Sequence, residues 1–120
     1  MIRFTAFRHN ISQRITHTAF QKNADNEPQF EGVIWTDGTV SLRWLTACKS
    51  TSVWNSFEDM INIHGHPEYG TEIVWHDKPT DTQAKVWDDK VEAWKIRMLD
   101  LNKVGVQVAA IHANSEYLLP

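Results

Sequence analysis

The 120-residue chain has a single cysteine, Cys48, so no disulfide can form within it, and a reducing compartment such as the cytoplasm is the expected setting. Long apolar runs are missing as well. No stretch approaches the about eighteen apolar residues of a membrane span, and MIRFTAFRHN at the N-terminus has no core of signal-peptide length. No membrane association is expected. Excess positive charge is also missing: 12 Lys and Arg stand against 15 Asp and Glu, for a net charge of −3. Without a basic footprint, nucleic acid is not an expected partner. The acidic excess is too small and dispersed to imitate a DNA phosphate track. The 5 glycines are scattered singly, so no glycine-rich phosphate loop occurs.

What is present describes an ordinary globular domain, with 42% hydrophobic and 22% charged residues and 6 tryptophans as the one oddity. The clearest element is FEGVIWTDGTVSLRWL, residues 30–45, in which Asp37-Gly38 separates two alternating runs. A two-residue Asp-Gly loop suits a type I′ turn, because glycine takes positive φ without strain. That register sets Trp35 opposite Val40, Val33 opposite Leu42 and Glu31 near Trp44, as one largely apolar face. Thr36, Thr39, Ser41 and Arg43 fall on the other, with Ile34 and Leu45 among them.

Further strands are expected at residues 2–8, 50–54 and 71–76, and a weaker one near Ile15–Phe20 before a polar loop at 22–29. A short helix is expected over 56–64. Ser56 is its N-cap, Glu58 and Asp59 meet the positive end of its dipole, and Gly65 is a left-handed stop. After Lys78-Pro79-Thr80-Asp81, a long amphipathic helix is expected over about 81–103, capped by Thr80 or Asp81 and ended near Gly105. Its apolar stripe is Ala84, Trp87, Val91, Trp94, Met98 and Leu101, in alternating steps of three and four. The tail after Gly105 suits a strand or a helix equally. The expected fold class is α+β: a small antiparallel sheet around the 30–45 hairpin, one short helix and the long C-terminal one. The expected division is a core at 1–77 and a helical extension at 78–120, packed on that core or on a second chain.

Four motifs follow one another: DGTVSLRW (37–44), ST (50–51), SFEDMINIHGH (56–66) and TEIVW (71–75). Over residues 37–75 the chain resembles a family of small phage, prophage and bacterial proteins. That family carries an Asp-Gly-Thr-Val…Leu-Arg-Trp hairpin, a Ser-Thr strand, a helix ending in Ile-His-Gly-His and an Ile-Val-Trp strand. The resemblance implies a phage or prophage setting. Two features depart from it: HNISQRITHTAFQKNADNEPQ stands where the family has a Ser/Gly-rich loop, and residues 78–120 extend beyond the family's core.

His64, His66 and His76 are the most site-like group. A His₃ metal site competes with a helix C-terminus where imidazoles meet the negative dipole end, and with His64 as a core-edge residue. The spacing matches no zinc pattern, so the structural reading is preferred and neither metal nor cofactor is expected. Cys48 beside Lys49 has no histidine tied to it, and no nucleophile, base and charge-binding group assemble in the sequence. A non-catalytic protein is expected. Arg43 with Trp44 offers a platform for a small nucleotide, which makes a nucleotide-sequestering protein the first alternative and a metal- or His-dependent enzyme the second. The leading expectation is a phage accessory protein that binds a host or phage protein and inhibits a host factor or a defence component such as a CRISPR effector. Trp87, Val91, Trp94, Met98 and Leu101 are the interface candidates, and a homodimer is expected through them.

Overall fold

The computed structural model describes residues 1–13 and 21–103. In chain order these form β1 (Ile2–Arg8), a 3₁₀ turn (Ile11–Gln13), β2 (Pro28–Ile34), β3 (Val40–Trp44) and β4 (Thr51–Trp54). There follow α1 (Phe57–His64), a second 3₁₀ turn (Pro67–Tyr69), β5 (Thr71–Trp75) and α2 (Asp81–Lys103). The strands make one antiparallel sheet in the order β4-β3-β2-β1-β5. The α+β expectation holds. The strand expected near Ile15–Phe20, the stop at Gly105 and the tail at 106–120 lie outside the described residues.

The hairpin register differs from the expected one by a single residue. Ile34 pairs with Val40, Gly32 with Leu42 and Phe30 with Trp44, while Val33 faces Ser41 and Glu31 faces Arg43. The reason is the loop. Gly38 N–H donates to Trp35 O at 2.9 Å, Trp35 N–H donates to Thr39 O at 2.8 Å, and Gly38 has φ 89°. The connection is thus a three-residue loop, Thr36-Asp37-Gly38, with the glycine left-handed in a bulge. Asp37 fixes it by accepting from Thr39 N–H (3.0 Å) and Thr39 Oγ1–H (2.6 Å). One added loop residue turns every side chain to the opposite face. Glu31, Val33 and Trp35 therefore leave the core, and Phe30 and Ile34 enter it.

The core lies between one face of the sheet and α1. Phe4, Ala6, Phe30, Ile34, Val40, Leu42 and Ile73 meet Phe57, Met60 and Ile61, with Trp44, Trp54 and Trp75 at the edges. Gly32 makes room for an aromatic ring: a Cβ there would stand 2.2 Å from Phe4 Cζ. Ser56 caps α1 by accepting from Asp59 N–H at 3.0 Å, a contact worth about 1 kcal/mol. The expected left-handed Gly65 is not found. Gly65 stays right-handed at φ −63°, and His66 takes the left-handed conformation at φ 41°. The glycine serves close approach instead, because a Cβ there would lie 3.2 Å from the Trp87 ring and 2.5 Å from Ile61 O.

Thr80 caps α2 reciprocally with Gln83: Gln83 N–H donates to Thr80 Oγ1 (3.1 Å) and Thr80 N–H to Gln83 Oε1 (2.9 Å). Val86 and Trp87 reach the core. The helix rests on α1 and the Pro67–Tyr69 turn rather than on the free face of the sheet. Further along, Val91, Trp94, Met98 and Leu101 are half-buried, while Ile96 and Leu99 are exposed.

Candidate functional site

Strand alternation sends the sequence-derived ligand candidates to two different places. Arg43 and His76 lie on the free face of the sheet, opposite the helices, while Trp44 and His64 lie on the core side. The Arg43–Trp44 platform is therefore not assembled, since neighbours in a strand point to opposite faces. The three histidines do not converge either. Among the described residues no group of His, Cys, Asp and Glu could hold a metal ion.

The free face is a fixed polar surface. Cross-strand pairing aligns Thr51, Arg43, Glu31, Thr5 and Val74 in one row, and Val53, Ser41, Val33 and Arg3 in the next. Arg43 Nη1 donates to Thr51 Oγ1 (3.1 Å), Trp35 Nε1 to Ser41 Oγ (2.9 Å), and Thr5 Oγ1 lies 2.6 Å from His76 Nε2. Arg3 grips Asp77 with Nε (2.9 Å) and Nη2 (3.1 Å). Those hydrogen bonds hold the Asp77 carboxyl down to about 2. A shallow trough of about 480 Å³ runs over this face between Arg3, Thr5, Glu31, Ser41, Arg43 and His76. Trp35 and Val53 stand exposed, at 46% and 72%.

On the core side the structure brings Trp44, His64 and His66 together around a residue the sequence reading missed, Arg8. The residue is 3% exposed. The guanidinium carbon sits 5.1 Å from the Tyr69 ring centroid, 5.5 Å from Phe30 and 5.8 Å from Trp44. Nη2 donates to His64 O at 2.6 Å, so a cation closes the carbonyl end of α1. Burial lowers its pKa to about 10, and at neutral pH it remains charged. The signal was available in β1, where Arg8 continues the period-two face of Phe4 and Ala6.

His64 is held between Trp44 and Trp54, with ring centroids 5.1 and 5.3 Å away in edge contacts. Burial first, then the charge of Arg8, pushes its pKa down to about 4, so the ring is neutral at pH 7. His66 stacks on Tyr69 at 4.3 Å and places Nδ1 2.7 Å from Glu68 Oε1. A hollow of about 250 Å³ opens here, bordered by Arg8, Lys22, Gln29, Trp44, His64 and His66. Gln29 is fixed behind it by a reciprocal pair: Asn23 N–H donates to Gln29 Oε1 (2.9 Å) and Gln29 Nε2 donates to Asn23 O (3.1 Å).

Residues 30–77 match the Acb5 phage protein family. The matched segment holds most of β2, all of β3 to β5 and α1, so it supplies most of the sheet, the free-face row from Glu31 to Thr51 and the histidines at 64, 66 and 76. Over this segment the chain is similar to phage proteins, in keeping with the resemblance drawn from its motifs. Arg8 and all of α2 lie outside it. No curated protein and no solved structure shows a significant match to the chain.

Proposed function

We propose that this is a small, non-catalytic phage accessory protein that acts by binding a host protein and inhibiting it, a defence component such as a CRISPR effector being the kind of target it suits. The observation that carries the reading is the free face of the sheet. Both described helices lie on the other side, so among the described residues five strands present a broad, preformed surface. Its side chains are already tied by hydrogen bonds among themselves, which lowers the entropy lost on docking. Exposed Trp35 and Val53 supply apolar contact within a polar frame, as the centre of an interface requires. The likeness of residues 30–77 to phage proteins supports the setting.

The test is a pair of surface variants, Trp35→Ala and Val53→Glu, made together in a tagged protein and expressed in a host strain carrying the targeted defence. The variant should melt like the wild type yet lose both co-purification of its host partner and protection of an infecting phage. Retention of both by a folded variant would exclude this face. The same reading includes a two-fold homodimer through the far half of α2, supported by the half-buried stripe of Val91, Trp94, Met98 and Leu101.

A further inference from the structure

Arg8 has more hydrogen-bonding capacity than the fold uses. A guanidinium carries five N–H donors. Nη2 is satisfied by His64 O at 2.6 Å, while Nε is buried with no hydrogen-bond partner. Buried charge is ordinarily matched by an opposite charge or by a full set of hydrogen bonds. Three aromatic faces offset part of the cost of burying the cation. The Glu68 carboxylate acts on Arg8 through space, and its Oε1 lies 2.7 Å from His66 Nδ1.

The charged residues among the described lining of the hollow beside Arg8 are cationic. Arg8 and Lys22 border it, and none of the described residues that line it is acidic. Lys22 Nζ reaches Ile11 O at 3.5 Å. The aromatic rings of Trp44, His64 and His66 are among its lining. A volume of about 250 Å³ exceeds that of a single tetrahedral anion and has room for a further ring.

We propose that this hollow binds a phosphate group, inorganic or at the end of a small phosphoester such as a mononucleotide, with the Arg8 guanidinium as its principal donor. The planar fork of Arg8 suits two phosphate oxygens, Lys22 adds a second positive charge, and Trp44 and His66 provide flat surfaces for whatever carries the phosphate. This site is independent of the free face of the sheet, and either can fail without the other.

The test is titration of the intact protein with inorganic phosphate, AMP and adenosine at constant ionic strength. Calorimetry would follow binding, and the indole N–H resonance of Trp44 would locate it. Phosphate and AMP should bind at one site per chain and shift that resonance, and adenosine should do neither. Equal affinity for phosphate and AMP assigns free phosphate as the ligand, whereas AMP binding at least about tenfold tighter assigns an organic phosphoester. Arg8→Lys keeps the charge and loses the fork, so binding should weaken by at least about tenfold. Should that variant fail to fold, Ser50→Trp serves: Ser50 is exposed on the rim of the hollow, and a large ring there should block binding without touching Arg8. No response to phosphate or AMP at about 10 mM would overturn the proposal. So would adenosine binding as well as AMP, or unchanged binding by folded Arg8→Lys and Ser50→Trp proteins.

Discussion

Residue by residue, the core-side cluster sets charge against burial. Arg8 keeps its proton because rings and a carbonyl surround it, and the same burial keeps His64 neutral. The His64 pKa falls from an ordinary 6.5 to about 4, which ties folding to pH. The unfolded chain takes up a proton at this residue between those values and the folded one does not. Stability from neutral His64 is therefore complete above about pH 6.5 and declines as pH falls toward 4. The full shift corresponds to about 3 kcal/mol, and screening at the partly exposed ring reduces that to about 1–2 kcal/mol. His9 acts in the opposite sense, because Glu72 and Asn26 raise its pKa. Its contribution is present below 6.5 and lost as pH rises through its folded value. Replacing His64 by Gln should flatten the fall in unfolding free energy between pH 6.5 and 4, measured by urea denaturation across that range. An unaltered slope would show that the His64 ring is not buried in its neutral form.

Within the elements, two features have large effects. The Thr36-Asp37-Gly38 loop decides which half of the hairpin is core, and α2 changes character along its length. Trp87 stands against Gly65 and α1, so it belongs to the core of its own chain. Trp94 lies two turns further along on the same stripe, and exposed Ile96 and Leu99 stand on the opposite face of that stretch. The two tryptophans should respond differently to a charge. Trp87→Glu should lower stability by about 3 kcal/mol or more, as a core aromatic does. Trp94→Glu should leave a folded protein and convert the proposed dimer to a monomer. Light scattering and circular dichroism on both variants check this. A wild-type mass of one chain at tens of micromolar would remove the dimer, and loss of folding on Trp94→Glu would place that residue in the core of its own chain.

For the whole molecule, the decisive element is β1. It pairs with β2 on one side and β5 on the other, so the two ends of the sheet join only through it. It also supplies Phe4, Ala6 and Arg8 to the buried face. The segment similar to phage proteins, residues 30–77, lacks this strand. Cut out alone, it would expose the inner edges of β2 and β5 and lose the ring that fills the space above Gly32. The fragment 30–77 should therefore show no cooperative melting by circular dichroism, in contrast to the full chain. A cooperatively folded fragment would mean that β2 and β5 can pair without β1.

The sequence by itself determined those features whose causes are local. The α2 stripe repeats along one helix, Thr80 and Asp81 stand as cap candidates at its start, and Ser56 precedes an apolar helical pattern; each needs only near neighbours to act. Strand positions followed from alternation for the same reason. The hairpin register was not determined, because Asp-Gly serves a two-residue loop and a three-residue bulged loop equally well, and only packing selects between faces. Gly65 was legible as a helix end but not as the seat of Trp87, which arrives from another element. Arg8 was least legible of all. A charged side chain at a strand end is ordinarily solvated, and its burial depends on rings from positions 30, 44 and 69 and a carbonyl from position 64. Such convergence is a property of the assembled sheet and helix, since the energy that holds a cation out of water comes from groups far apart in the chain.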